Sequence, residues 1–263
     1  MGTAGSDGVT LADAFQPGIF LEALRFIADN PGRLWDKTVE HMALSGASMA
    51  LAILIAIPLG VWLGHLHRGS FLAINISNIG RALPSLAIIA IGLVVFGIGF
   101  TNVMVTLVVL AVPPMLTNAY VAVDGVERES IEAARGMGMR PWQILTRVEI
   151  PLSLPLIFAG IRTSAIYVVS TATIAAIAGG GGLGDIIVNQ ASWGLDGVIG
   201  AALCVSALAF ATDFALGGVQ RLLTPRGLRR REVAAVEPDV STGRSPVAPR
   251  GEGLRRGSLG TTN

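Results

Sequence analysis

Apolar residues in this chain come in long unbroken runs and not at the spacing of a single helix face. A helix on the surface of a soluble protein carries apolar positions at i, i+3, i+4 and i+7 and polar ones opposite. Here "MALSGASMALAILIAIPLGVWLG" (Met42 to Gly64) and "ALPSLAIIAIGLVVFGIGF" (Ala82 to Phe100, with apolar character reaching back to Phe71) are greasy on every side. So are "NVMVTLVVLAVPPMLTNAYVAV" (Asn102 to Val123), the run from Leu154 to Ala178, and "GVIGAALCVSALAFATDFALGGV" (Gly197 to Val219). About 20 such residues cross the roughly 30 Å of bilayer hydrocarbon. The pattern predicts an all-α membrane protein with five spans. Arg162 falls near the start of the fourth and Asp213 inside the fifth.

The flanks read differently. Residues 18–41 show Ile19, Phe20, Ala23, Leu24 and Ile27, a break at "DNPG", then Leu34, Trp35 and Val39. That spacing predicts two short amphipathic helices, lying at the outer interface or as a solvated hairpin against the bundle. From Thr224 onward the chain is Arg, Gly, Pro, Ser and Thr with few large apolar residues. Such a segment buries too little surface to offset chain entropy and is expected to be disordered. The predicted division is 1–41 interfacial, 42–223 membrane domain and 224–263 tail. The first residues show neither the basic n-region nor the apolar h-region of a signal peptide.

Composition agrees with the membrane reading: 52% of residues are hydrophobic and 14% charged, against about 25% charged in soluble domains. A net charge of +1 gives no field for nucleic acid. The lone Cys204 excludes an intramolecular disulfide and reads as a small buried hydrophobe. Loop charges set an orientation. Basic residues follow span one (His65, His67, Arg68), span three (Arg128, Arg135, Arg140, Arg147) and span five (Arg221, Arg226, Arg229, Arg230, Arg231). The turns after spans two and four hold no Lys or Arg. The positive-inside rule puts the first set in the cytoplasm, the C-terminus inside and the N-terminus outside.

One segment breaks the apolar pattern. "EAARGMGMRPWQILTRVEIP", Glu132 to Pro151, carries charges, glycines and prolines between two spans. "ERESIEAARGMG" predicts a helix ended by glycine at 136–138, and Pro141 suits the first turn of a second helix, "PWQILTRVEI", that stops before Pro151. Ala133 and Ala134 make a shallow face beside Glu132 and Arg135, and Gly138 leaves room at its end. On residues alone, a docking helix and an ordinary solvated loop both remain open.

Glu132-Ala133-Ala134, three residues, Gly138, nine residues, then Val148-Glu149-Ile150-Pro151 resembles the E-A-A-x3-G-x9-I-x-L-P loop of ABC importer permeases. Val148 and Ile150 are conservative departures. The resemblance implies that a loop at about 124–151 is the coupling segment that docks into a cleft on a cytoplasmic ATPase, with Glu132, Ala133, Ala134, Gly138 and Pro151 as its coupling residues. "GIRTSAIYVVSTATIAAIAGGGGLG" from Gly160, "GRALPSLAIIAIG" from Gly80 and "PPMLTNAYVAVDGV" from Pro113 are similar to the glycine betaine, carnitine and choline permeases. The likeness covers about residues 44–219. It implies the five-span core of a type I ABC importer in the bacterial inner or plasma membrane, taking up quaternary amines (glycine betaine, choline, carnitine, proline betaine). It further implies an ATPase subunit that binds the ATP, an extracytoplasmic substrate-binding protein and a second permease subunit, identical or paralogous. A permease for another small solute such as an amino acid, and a channel or scaffold without an ATPase, stay open beside it.

Other chemistry is sparse. "GGGGLG", Gly179 to Gly184, follows no strand and precedes no lysine, so it reads as a flexible turn and not a phosphate loop. This chain is expected to hold no cofactor or metal. His65 and His67 do not share a helix face and are expected at the surface. No catalytic constellation is visible. Polar residues inside spans face a cavity or a partner by default, which makes Thr163, Ser164, Ser170, Thr171 and Thr173 candidates for a translocation path, with bonding between or within helices as the alternative. Pro58, Pro84 and Pro113-Pro114 are expected to kink their spans. Arg81 is expected to snorkel, and Asp213 to meet an internal polar partner. Aromatics for a cationic substrate are few and scattered: Tyr120, Tyr167 and Trp62.

Overall fold

The computed structural model describes residues 18–67, 84–224 and the isolated positions 71, 75, 78, 80 and 82. Arg68, Arg81 and the tail from 225 lie outside the described residues, and with them the expectations placed there. Among the described residues the chain is helical without strands, and four helices are long and apolar enough to cross a membrane.

Helix α1 (Gly18–Asp29) buries Ile19 and Ala23. Its Phe26 ring lies where a Cβ on Gly197 or Gly200 would approach to 3.2 Å, so two glycines seat it against the last helix. Asn30 closes α1, its backbone N–H and its Nδ2 both donating to the Phe26 carbonyl. Pro31 then opens α2 (Pro31–His65). Here the expectation of a separate second amphipathic helix is wrong. Nothing between Pro31 and Pro58 stops a helix, so Leu34, Trp35 and Val39 sit on the same 35-residue rod as the first span. At 1.5 Å per residue α2 is about 52 Å long, well beyond the hydrocarbon thickness. The anticipated boundary at residue 41 falls inside it.

The second span is also shorter than expected. Helix α3 (Ser85–Phe96) covers about 18 Å. Pro84 is its N-cap with ψ 126°, so the proline opens α3, and the described positions before it, 80 and 82, are helical as well. Gly97 and Gly99, at φ +74° and +138°, turn the chain, and Phe100 belongs to the next helix. Helix α4 (Phe100–Asp124) lies at the centre, buried along most of its length, with Pro113 and Pro114 inside it. Gly60 and Gly64 let α2 lie directly on it. An added Cβ would come 2.7 Å from Ala119 Cβ at one and 2.8 Å from Val123 Cβ at the other. Such small-residue seams supply the close packing that lipid cannot drive hydrophobically.

Two short helices follow, α5 (Arg128–Gly136) and α6 (Pro141–Ile144). A π-helical turn, Leu145–Glu149, joins α6 to α7 (Ile150–Ala175). The helix therefore does not stop before Pro151. Proline lacks the N–H that an α-turn would use, and the chain passes it by donating Ile150 N–H to Leu145 O across five residues. Arg162 consequently sits mid-helix. A 3₁₀ turn (Ala176–Ala178), the glycine string, α8 (Gly184–Val188) and α9 (Gln190–Leu223, kinked at Gly194, φ +70°) complete the fold. One core joins α2, α3, α4 and α7 around Leu107, Met115 and Val168. A second, around Val61, Val123 and Ile157, holds the ends of α2, α4 and α7. A third ties α9 to Leu34, Val169 and Ile186.

Candidate functional site: hook, cleft and membrane ion pair

Residues 126–149 form a hook with a core of its own: Val126, Ile131, Ala134 and Ile144, backed by Met139 and Val148. The EAA residues divide across α5. Glu132 and Ala133 face outward, whereas Ala134 is 1% exposed, so the two alanines do not share a face as expected. Glu129 in the first turn and Arg135 in the last suit the helix dipole. Gly138 has φ +78°. Its N–H donates to Arg135 O (2.9 Å) and Met139 N–H reaches back to Ala134 O (3.2 Å), the paired bonds of a Schellman ending. The fixed glycine of the motif is thus a dihedral requirement. Pro141 opens α6 at its first position, and Gln143 Oε1 accepts the Arg140 N–H at 2.8 Å. Arg135, Arg140, Met137 and Trp142 are exposed.

Side-chain bonds join the helix ends beside the hook, and one of them reaches the hook itself through Glu149. Ser153 Oγ donates to Ala122 O (2.7 Å), His67 Nδ1 meets Asp124 Oδ1 (2.8 Å), and His65 Nδ1 meets Glu149 Oε2 (2.6 Å). Glu149 is 2% exposed, so His65 is not the surface residue expected from sequence. A cavity of about 270 Å³ opens between hook and helix ends, lined by both histidines, Arg135 and Glu149. Gln220 Nε2 donates to Pro155 O (3.3 Å), bringing the end of α9 to the same side. The described parts of those basic segments, His65 and His67, the hook and the end of α9 at Arg221, thus gather at one end of the bundle.

A cleft of about 620 Å³ lies between α4 and α7 and is lined by Gly80, Leu110, Pro114, Asn118, Thr163, Ile166, Tyr167 and Ser170. None of these carries a charge. Thr163, Ile166, Tyr167 and Ser170 are spaced i, i+3, i+4, i+7, a single stripe of α7. Gly160 lets α7 close on α4 at Asn118, whose Cβ an added Cβ would meet at 2.6 Å. Of the five candidate path residues, Thr163 and Ser170 line the cleft, although Thr163 Oγ1 also donates to Ala159 O of its own helix (2.9 Å). Ser164 instead donates to Ala111 O (3.0 Å) in the core, Thr171 is buried, and Thr173 Oγ1 donates to Ser170 O (2.7 Å). Sequence reasoning passed over Asn118 and set Tyr167 aside among scattered aromatics, although the helical spacing of 163, 166, 167 and 170 was there to separate this stripe from 164 and 171. Tyr120 is buried in the core and Trp62 is exposed on α2.

Asp213 has the internal partner expected of it, Arg162. The guanidinium makes two parallel bonds of 2.8 Å to the carboxylate and a third, 3.3 Å, to Gln220 Oε1. Gly217 leaves α9 bare where the guanidinium lies. At the other end of the molecule the glycine string is packed, not loose. Gly181 and Gly182, both at φ +71°, abut the Glu40 carboxylate and His41, and Gly184 abuts Thr173 O. His41 is buried, its Nε2 3.0 Å from Val169 O, and Lys37 Nζ bonds Asp185 at 2.6 Å. Cys204 is half-buried on α9.

Long, largely apolar helices around α4, a structured hook between spans and beside it a cleft whose described lining residues are uncharged are the parts of a multi-pass transport component of a membrane. Residues 56–226 match the family model described as the inner membrane component of binding-protein-dependent transport systems. The chain belongs to that family. It is 40% identical over 209 residues to the glycine betaine/carnitine/choline transport system permease protein OpuCB of Bacillus subtilis (strain 168), covering 79% of this chain and 96% of that protein. It is likewise 40% identical, over 208 residues with 79% and 96% covered, to the choline transport system permease protein OpuBB of the same organism. Among solved structures, inward facing conformations of the MetNI methionine ABC transporter superpose with a TM-score of 0.62 at 24% identity, covering 73% of this chain and 96% of that one. That likeness concerns the fold.

Proposed function

We propose that this chain is the membrane subunit of an ABC importer that takes up quaternary amine osmoprotectants of the glycine betaine, choline and carnitine class. The observation that carries the reading is the 40% identity, along nearly the whole length of relatives named for these solutes. Hydrolysis of ATP belongs to a separate subunit, and the chain itself is not an enzyme. Glu132 and Ala133, displayed outward on a helix whose end Gly138 and the hook core fix, form the surface offered to that ATPase; Ala134 and Pro151 serve it from within by shaping the hook. An extracytoplasmic binding protein delivers the solute at the opposite end, and a second permease subunit completes the path. The hook lies in the cytoplasm with the C-terminus, and the N-terminus is outside.

Solute passes along the cleft, whose described lining residues are uncharged. A fixed quaternary cation has no N–H to donate and is attracted by aromatic faces. Tyr167 supplies one, and Asn118, Thr163 and Ser170 supply polar atoms without a carboxylate that would hold the cation too tightly to release. The test is reconstitution with the ATPase and the binding protein, followed by ATP-dependent uptake of labelled choline and glycine betaine in competition with amino acids. Uptake that amine osmoprotectants inhibit supports the reading. Inhibition by an amino acid alone moves the chain to another solute class, and permeation without ATP makes it a channel. Glu132→Ala should abolish uptake while insertion into the membrane stays normal.

A further inference from the structure

We infer that the His65–Glu149 pair is the joint through which the hook moves α2, a positioning role for two residues outside the fixed positions of the EAA motif. The inference rests on the proposal that the hook docks on an ATPase through Glu132 and Ala133. Glu149 occupies the variable place between Val148 and Ile150, so the motif gives it no assignment. The structure does. It is a carboxylate 2% exposed, held 2.6 Å from a histidine on another helix. Burying a charge without a partner is costly, so the two side chains hold one another in place.

The local geometry fits a joint. Glu149 is the last residue of the π turn, where one extra residue offsets the hook from α7 by about 100° of helical rotation. π turns are uncommon and cluster at functional sites. Toward α4 the segment is tied by the chain itself, while just beyond it Ser153 holds α7 to α4 through Ala122 O. Toward α2, the buried polar tie among the described residues is His65–Glu149, and His65 is the last residue of that helix.

From His65 a single helix leads to the opposite end of the molecule. The Gly60 and Gly64 seam clamps α2 to α4 with no slack for side chains between them. At its other end, Lys37 grips Asp185 and His41 meets Val169 O beside the packed glycine turn. Close-packed interiors transmit displacement instead of absorbing it. A shift of the hook therefore reaches the far-end turn through α2, and the pair is where it enters.

The experiment is a coupling measurement on the assembled complex in proteoliposomes, with labelled choline uptake and phosphate release read from the same vesicles. Glu149→Gln and His65→Ala should leave ATP hydrolysis and ATPase co-purification near wild type and lower solute moved per ATP by about tenfold. Exchanging the partners, His65→Glu with Glu149→His, should restore most of that ratio. Should Glu149→Gln fail to assemble, His65→Gln carries the same expectation of a lowered ratio. An unchanged ratio in the single variants, uptake and hydrolysis falling in step, or an exchange no better than the single changes would each overturn the inference. If the wild-type complex itself shows no ATP-driven uptake, the underlying function is refuted; if it pumps and the variants keep its ratio, only the joint is.

Discussion

Gly138 separates two accounts of the hook. One holds that the position needs a left-handed backbone; the other, that it needs empty space for a partner. The structure supports the first, because φ is +78°; the open space around an added Cβ shows that no neighbour in this chain would be struck and fits either account. An L-residue in that conformation costs about 1–2 kcal/mol, less for asparagine, whose short polar side chain visits it routinely. The hook core is small, so this cost falls on local order: 1–2 kcal/mol is a factor of about 5–30 in the ratio of capped to uncapped hook. Uptake should rank Gly138, then Gly138→Asn, then Gly138→Ala, with the β-branched Gly138→Val lowest. Hydrogen exchange at the amides of residues 137–139, which carry the capping bonds, should quicken in the same order. The reasoning is refuted if alanine works and the larger asparagine fails, since that order follows size and not dihedral.

Gly64→Leu drives a side chain into Tyr120 O and Val123, each 2.8 Å from the new Cβ, and should cost about 1–3 kcal/mol by overpacking. Gly46→Ala on the same helix meets nothing within 4 Å and should leave the melting temperature in detergent unchanged or higher; equal losses for both would discredit the seam. Tyr167→Ala should raise the KM for choline by about 2- to 30-fold, the range of a cation–π contact worth about 0.5–2 kcal/mol, while Tyr167→Phe stays near wild type. A wild-type KM for the alanine variant would remove the ring from the path. Arg162→Met strands a carboxylate in the membrane and should cut the yield of folded protein, with Asp213→Leu added to it restoring yield. Wild-type yield from the single variant would show the pair to be idle.

Much of this was legible beforehand, because span length and the EAA spacing are local properties of the chain. What the sequence could not show depended on neighbours. Leu34, Trp35 and Val39 have an amphipathic rhythm whether or not they continue into a span, and only the lack of a stop signal before Pro58 makes α2 one rod. The polar residues of α7 look equivalent in a list. Their partners differ because 163 and 170 face a cleft while 164 and 171 face α4 and the core. Glu149 reads as a charged loop residue until the π turn, which Pro151 favours by lacking an N–H, aims it inward at His65. The glycine string resembles a loose linker, yet Glu40 and His41, about 140 residues earlier, fill the space its missing side chains leave.

The hook's private core has a consequence for diversification. Val126, Ile131, Ala134 and Ile144 form a cluster distinct from the cores that pack the spans, which the hook joins through Leu145. Outward positions such as 132, 133 and 137 can therefore be rewritten with no repacking beneath them. A lineage, or an engineer, can rewire which motor a permease answers to and leave its choice of cargo untouched.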